Sequence, residues 1–192
     1  MTHATPEAAP SPVGRTAREP RPARRPIAAD ATPEQLISRH AADILASPGM
    51  RIEAACIQHG DTSVLAHSAA VSAWCVVIAR ALRVPVDERA LVRGSLLHDY
   101  FLYDWHVDDP SHRLHGFTHP GVACANAERD FGLTPTERSM VRHHMFPLTP
   151  TPPTCREGAI LCLADKIVAT RETLHGFSLR ISKARARRAR SN

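Results

Sequence analysis

A histidine and an aspartate, His98 and Asp99, stand side by side at the end of an apolar helical stretch that begins at Leu91. His67 precedes them, and Asp165 ends a second apolar segment further along the chain. Imidazole and carboxylate groups placed where an apolar pattern predicts core must find partners, because an unpartnered buried charge costs several kcal/mol. A shared metal ion satisfies such groups together, so the set predicts a metal site.

Each helix predicted downstream of residue 62 carries a candidate metal ligand at or near one end. Any one of these histidines, taken alone, is more often a hydrogen-bonded core or surface residue than a ligand. Asp165 alone also fits an ion pair with Arg171 or another neighbouring arginine. The joint placement favours the metal site. Its candidate ligands are His67, His98, Asp99, His119, His143 or His144, and Asp165.

Two adjacent histidines, His143 and His144, compete for one ligand position. Met140 and Val141 define the apolar face of the helix predicted to start at Thr134, and His144 follows them by four and three residues. Residues at these spacings lie on the same side of a helix. The inward direction therefore favours His144 as the ligand.

The order His67, His98-Asp99, Asp165 resembles the HD-domain superfamily of metal-dependent phosphohydrolases over about residues 60–175. His119 and His144 match the two additional histidines of its dinuclear members. The resemblance implies that His67, His98, Asp99 and Asp165 hold one divalent metal, and that Asp99 bridges to a second metal held by His119 and His144. Such a pair acidifies a bridging water to the hydroxide that attacks phosphorus. Imidazole and carboxylate ligands suit Fe, Mn, Co, Ni or Zn.

We therefore expect a small cytoplasmic phosphohydrolase that cleaves a phosphoester or phosphoanhydride of a nucleotide or another phosphorylated small molecule. An HD-type di-iron oxygenase is the first alternative, because some members of the superfamily use the same histidines and aspartates to activate dioxygen. A non-catalytic metal-sensing or ligand-sensing domain is the second alternative. The full ligand set argues against it, since a degenerate domain would tolerate the loss of a ligand.

Substrate-binding candidates flank the predicted ligands. Lys166 directly follows Asp165 and is one of only two lysines in the chain, so it is a candidate catalytic charge for a phosphate oxygen. An ion pair between Lys166 and Asp165 is an equal alternative. The long loop after Asp99 adds Trp105, Arg113 and His115, which could stack on a base and bind phosphate. The loop aromatics could equally serve only to pack the loop.

Helical periodicity dominates the elements that must position these residues, and no alternating run predicts a strand. The fold class is therefore all-α, a single compact helical domain of about six to seven helices. Thr32, Asp61, Asp87, Thr118 and Thr134 are the predicted helix caps. The predicted helices cover about residues 33–47, 50–58, 62–83, 88–98, 118–129, 135–144 and 156–174, the first of them ended by Pro48-Gly49.

Composition divides the chain into a Pro/Ala/Arg-rich arm over residues 1–30, the HD-like domain over 31–178 and a basic tail over 179–192. We expect the arm to be disordered, because it has almost no large apolar residue to bury. The net charge of +5 comes from the ends, since residues 26–179 hold 13 Lys and Arg against 17 Asp and Glu. An acidic body makes nucleic acid an improbable partner beyond weak contacts by the basic ends.

Neither a membrane nor a disulfide framework fits the sequence. Arg80 and Arg83 interrupt the apolar run from Trp74 to Leu82, which leaves it short of a membrane span. The N-terminal residues lack the apolar core of a signal peptide. The five cysteines are odd in number and lack C-x-x-C spacing, which argues against disulfides and thiolate zinc sites.

Overall fold

The computed structural model describes residues 23–110 and 113–190. The all-α fold is confirmed, with seven helices in the described part of the chain. The helices are α1 (Pro33–Leu45), α2 (Pro48–Ala55), α3 (Val64–Ala81), α4 (Glu88–Leu96), α5 (His115–Phe131), α6 (Pro135–His143) and α7 (Arg156–Arg190).

A short antiparallel hairpin, β1 (Ile57–His59) and β2 (Thr62–Ser63), corrects the expectation of no strands. The predicted second helix was too long, because α2 ends at Ala55. The turn of the hairpin is at Gly60, whose φ of +61° is the left-handed conformation that glycine adopts readily. The hairpin also moves the start of α3, which is capped by Ser63 rather than by Asp61.

The N-terminal caps of α1, α4 and α6 lie where the sequence predicted them. Thr32 and Thr134 form capping boxes at the starts of α1 and α6, each followed by a proline in the first turn. The side chain of Asp87 accepts a hydrogen bond from the backbone of Ala90 and caps α4. These local signals fix three helix starts, and two of the helices, α4 and α6, carry members of the candidate site at their C-terminal ends.

The start of α5 differs from its prediction at Thr118. The helix begins three residues earlier, at His115, after Leu114 in the left-handed region with φ of +61°. Thr118 therefore lies inside the helix, where its hydroxyl donates to the carbonyl of Leu114. The earlier start places His115 and His119 four residues apart on one helix face.

Both ends of the domain extend beyond the predicted elements. The predicted disordered arm falls partly outside the described residues, and its described part packs on the domain through Ile27, which is buried. Arg25 pairs with Val86 in an isolated antiparallel bridge. At the other end, α7 does not stop near Leu174 but runs to Arg190, through the predicted start of the basic tail.

Helix α3 lies at the centre of the domain, where it packs against α4 and α7, and α4 in turn packs against α6. Gly94 permits the close approach of α4 and α6, because a Cβ atom at this position would lie 2.7 Å from Sδ of Met140. Fully buried Val71, Leu91 and Leu161 fill the space between these helices. The packing brings the ligand-bearing ends of the helices together.

Helix α3 is long and apolar enough to cross a membrane by length and composition, with a mean hydropathy of 1.6. This differs from the expectation of no such run, which rested on Arg80 and Arg83 as interruptions of the apolar segment. Half of the segment is buried inside the domain, and Arg80 donates to the carbonyls of Ala28 and Ala31. A core helix passes the same test, so α3 is compatible with a soluble protein.

Candidate metal centre

Six predicted side chains meet in one buried cluster. Five of them are at most 4% exposed, and the side chain of Asp165 is 13% exposed. They come from five helices or helix ends, which explains why the cluster depends on the packing of the whole domain. The members are His67 on α3, His98 and Asp99 directly after α4, His119 on α5, His144 at the C-cap of α6 and Asp165 on α7.

Asp99 lies at the centre of the cluster, and its two carboxylate oxygens face opposite halves. Oδ1 lies 3.2 Å from Nε2 of His119 and 3.4 Å from Nε2 of His144. Oδ2 lies 3.4 Å from Nε2 of His98 and 3.9 Å from Nε2 of His67. A carboxylate with one oxygen toward each pair of imidazoles is arranged to bridge two ions.

The first half of the cluster also contains Asp165. Its Oδ1 atom lies 3.3 Å from Nε2 of His67 and 3.8 Å from Nε2 of His98. The ligand atoms of these three residues lie within 4.8 Å of one another, and so do those of His98, Asp99 and His144. The two groups share His98, and each is compact enough to surround a metal ion.

The second half contains two histidines at hydrogen-bond distance from each other. The Nε2 atoms of His119 and His144 lie 2.9 Å apart. His143, the competing candidate, is half-buried, and among the described ion pairs with Asp99 the ring of His144 is present and that of His143 is not. The structure therefore directs the ring of His144, rather than that of His143, into the cluster.

Three of the four histidines are oriented by main-chain carbonyls of their own helical turn. A carbonyl oxygen only accepts, so each Nδ1 carries the hydrogen and the neutral ring keeps its lone pair on Nε2. This is the tautomer that binds a metal through Nε2. The bonds, each 2.8 Å long, join Nδ1 of His98 to the carbonyl of Ser95, Nδ1 of His119 to that of His115, and Nδ1 of His144 to that of Val141.

The protonation states of Asp99, Asp165 and His98 suit metal ligands. At His144, by contrast, burial is outweighed by contacts with Asp99, which raise the pKa of the ring. Burial by itself would raise the pKa of Asp99, but the surrounding imidazoles, His98 first, outweigh it and hold that pKa well below its ordinary value. Burial and the contact with His67 oppose each other in the same way at Asp165, whose pKa is also lowered. Burial lowers the pKa of His98 to about 4. Both carboxylates are therefore anionic and His98 is neutral at pH 7.

Two buried atoms of the cluster lack partners. Within residues 23–110 and 113–190, neither Nε2 of His98 nor Oδ1 of Asp99 has a hydrogen-bond partner. Leaving a buried donor or acceptor unsatisfied costs roughly 1–3 kcal/mol. A divalent cation in each half of the cluster would supply the missing partners, one to each atom, and imidazole with carboxylate suits first-row transition metals. The residues present therefore fit a divalent metal centre.

A cavity of about 400 Å³ opens onto the cluster, a volume typical of small-molecule sites. Trp105 and His115, two of the predicted substrate-binding residues, line it. The two rings are stacked at 5.1 Å, and His115 is stacked on His119 at 4.6 Å. Stacked rings therefore connect the cavity wall to the second half of the cluster.

The two predicted phosphate-binding cations, Arg113 and Lys166, do not line this cavity. Arg113 is exposed at the end of the loop that precedes α5. Lys166 is exposed on α7, and its Nζ atom donates to the main-chain carbonyl of His144 at 3.4 Å. The ion pair between Lys166 and Asp165 that the sequence allowed is therefore replaced by a contact with the backbone of another predicted ligand.

Sequence reasoning missed two residues that contact the cluster, Glu172 and Gln58. Oε2 of Glu172 lies 2.9 Å from Nδ1 of His67, and Nε2 of Gln58 donates to Oδ2 of Asp99 at 2.6 Å. Glu172 follows Asp165 by seven residues, two helical turns, and this spacing was a usable signal. Gln58 sits on the unpredicted strand β1, so nothing in the sequence pointed to it.

The pKa of His67 reflects this contact. Burial lowers the pKa, but hydrogen bonds with Asp165 and Glu172 outweigh it and raise the pKa to about 10. The metal-free ring is therefore protonated at pH 7, and a metal ion that binds Nε2 must displace that proton.

A family model described as HD domain matches residues 64–170, more than half of the 192-residue chain. All six members of the cluster lie within the matched residues, whereas Gln58 and Glu172 lie outside them. No curated protein and no solved structure matches the chain.

Proposed function

Because the chain belongs to the HD domain family, we propose that it is a metal-dependent phosphohydrolase with two metal positions. The observation that carries the proposal is the placement of Asp99, whose two oxygens face two separate pairs of imidazoles. A dinuclear site of this kind is suited to in-line attack on phosphorus. HD domains are commonly hydrolases, which supports the reaction class.

His67, His98 and Asp165 would hold one ion, His119 and His144 would hold the other, and Asp99 would join the two. Bound divalent ions would lower the pKa of water and neutralise phosphoryl oxygens. The carboxylates of Asp99 and Asp165 in the cavity lining are negatively charged and cannot supply either effect by themselves. The ring tautomers fixed through Nδ1 preorganise the ligands, so little reorganisation accompanies binding.

His115 is the side chain that we assign to proton transfer. It lines the cavity, and the other titratable residues of that lining are all proposed metal ligands. The hydroxyl of Tyr103 lies 2.9 Å from Nδ1 of His115 and can donate to it, which leaves the proton of the neutral ring on Nε2. A proton at that atom can be given to a leaving oxygen in the cavity.

The proposed substrate is a phosphorylated small molecule, a nucleotide or another phosphoester or phosphoanhydride. The cavity volume of about 400 Å³ suits a ligand of that size. The ring of Trp105 offers a stacking surface for a base or another flat group. We propose a cytoplasmic protein that acts on diffusible substrates, without a membrane partner and with at most weak nucleic-acid contacts through its basic ends.

Phosphate release tests the proposal. Metal-free protein would be supplied with Mn²⁺, Co²⁺ or Fe²⁺ under anaerobic conditions and given a panel of nucleotides and simple phosphoesters, with Asp99→Asn as the matched control. We expect metal-dependent release of phosphate or of a nucleoside product by the wild type, and none by the control. The iron form would also be assayed in air, and oxygen consumption there, together with no phosphoester cleavage in the anaerobic assay, would overturn the proposal in favour of the di-iron oxygenase.

A further inference from the structure

His67 is held differently from the other three histidines of the cluster. Each of those donates its Nδ1 hydrogen to a carbonyl three or four residues earlier in the chain. Nδ1 of His67 instead lies 2.9 Å from Oε2 of Glu172, which is 105 residues away on α7. At Nδ1, His67 thus has a carboxylate as its hydrogen-bond partner, whereas the other three histidines have neutral main-chain carbonyls.

The charge of that partner changes the imidazole as a ligand. A carboxylate accepts only, so Glu172 keeps the hydrogen of neutral His67 on Nδ1 and the lone pair on Nε2. A carboxylate bound to the far side of a ligating histidine also raises the basicity of the ring and fixes its orientation. Both effects strengthen the bond from Nε2 to a metal ion.

Glu172 acts from outside the substrate cavity. Its side chain is 13% exposed and lies in a surface cleft of about 640 Å³ between the β1–β2 turn and α7, together with Asp61, Arg171 and His175. It does not line the 400 Å³ cavity at the cluster. Glu172 also lines a pocket of about 300 Å³ together with Gln58 and Trp105, which line the cavity at the cluster as well. Its contact with the metal centre is through His67.

The two halves of the cluster consequently differ in negative charge. The half of His67 and His98 has Oδ1 of Asp165 and Oδ2 of Asp99 close to its imidazoles, with Glu172 behind one of them. In the other half, Oδ1 of Asp99 is the carboxylate oxygen that the structure places near the two rings. More carboxylate charge around an ion raises its affinity.

We propose that Glu172 is a positioning residue that orients His67 and makes the metal position of His67, His98 and Asp165 the tighter of the two. The inference rests on the metal binding in the proposed function and needs nothing of its substrate chemistry. It assigns a role to a residue that lies beyond the 64–170 match to the HD domain model.

A cobalt titration tests the inference. The metal-free full chain would be titrated with Co²⁺ by visible absorption, in competition with a chelator, as the wild type, Glu172→Ala and Glu172→Gln. Glu88→Ala is the matched control, because Glu88 also contacts a histidine, His40 at 2.7 Å, but away from the cluster. The tautomer of His67 would be read from its ¹⁵N NMR signals in zinc-loaded protein.

We expect Glu172→Ala to weaken the first Co²⁺ equivalent about 10–100-fold and to leave the second nearly unchanged. Glu172→Gln, whose amide oxygen still accepts from Nδ1, should retain the tautomer and lose only about 3–10-fold. Glu88→Ala should match the wild type. A wild-type first affinity in Glu172→Ala would overturn the inference.

The titration has further outcomes that separate the inference from the proposed function. If circular dichroism shows that Glu172→Ala does not fold, the nearly isosteric Glu172→Gln decides, and an unchanged first affinity in that variant overturns the inference. If the wild type binds a first Co²⁺ equivalent more tightly than a second, as expected, but cleaves no phosphoester, the inference stands and the proposed function is rejected. A wild type that binds no Co²⁺ removes both.

Discussion

The Nε2 atoms of His119 and His144 lie 2.9 Å apart, while each ring donates its Nδ1 hydrogen to a main-chain carbonyl. In the neutral rings both facing nitrogens carry lone pairs, which repel each other at this distance. Only a cation or a shared proton relieves that repulsion. The contact is therefore a direct reason, independent of any family likeness, to place a positive charge beside Oδ1 of Asp99.

The adjacent histidines of α6 should separate cleanly in metal content. His144→Ala removes a ring that faces Asp99, so we expect it to lose about one of two bound metals. His143→Ala removes a ring that is not among those placed beside the carboxylate of Asp99 in the described residues, and it should keep both. Inductively coupled plasma analysis of the two purified variants checks this, and the reverse pattern would move the ligand position to His143.

Chelation should destabilise the protein, because a metal that binds only the native state stabilises it by mass action. A free metal concentration a hundred times the Kd contributes about 2.7 kcal/mol, and a domain of this size then loses about 5–10 °C of Tm on chelation. Thermal melting with and without chelator measures the shift. Asp99→Ala is the control and should not respond; an equal response in both proteins would point to a nonspecific effect of the chelator.

Glu53 should make stability fall as the pH rises. Burial, and to a smaller extent the nearby charge of Asp99, raise the pKa of Glu53 to about 8, from 4.5 in the unfolded chain. Between these values the folded chain holds a proton that the unfolded chain has lost, so folding weakens as the pH increases through this window. Glu53→Gln keeps an acceptor for the backbone N–H of Leu102, which Glu53 Oε1 now binds.

The Tm of metal-free Glu53→Gln should therefore exceed that of the metal-free wild type by a margin that grows from pH 5 to pH 8. Each additional 1 kcal/mol corresponds to roughly 2–4 °C in a protein of this size. If the difference in Tm between the two proteins stays constant from pH 5 to pH 8, Glu53 is ionised in the folded protein over that range.

Lys166 should be a minor contributor to turnover. Its Nζ atom contacts the carbonyl of His144 at 3.4 Å and does not line the cavity, so Lys166→Met should lower kcat/KM by less than about threefold. Lys166→Arg, which keeps a donor, should match the wild type. A fall of about a hundredfold or more is the size expected for a group that stabilises the transition state, and it would restore the catalytic role that the sequence suggested.

Local chemistry made much of this structure predictable from the sequence. Capping residues at Thr32, Asp87 and Thr134 act within one helical turn, so their signals are complete in a short segment. Polar residues at the ends of apolar helices, such as His98 and Asp99, also stand out locally. The all-α fold and the convergence of the six residues followed from these two kinds of signal.

Features that depend on contacts between distant segments were missed. The two strands of the β1–β2 hairpin hold only five residues, and its turn at Gly60 packs against Gly176 on α7, an approach that no local pattern encodes. The early start of α5 uses Leu114 in a left-handed conformation that its side chain disfavours. The direction of Lys166 and the partner of His67 are likewise set by how α7 packs.

The metal content of two variants, Asp99→Ala and His119→Ala, tests the central claim most directly. Asp99 faces both halves of the cluster, whereas His119 faces one. Protein purified without chelator and reloaded with Mn²⁺ or Co²⁺ should bind two metals per wild-type chain, about one in His119→Ala and none in Asp99→Ala, with the helical circular dichroism signal intact in all three. Equal and full occupancy in both variants would contradict a centre bridged by Asp99.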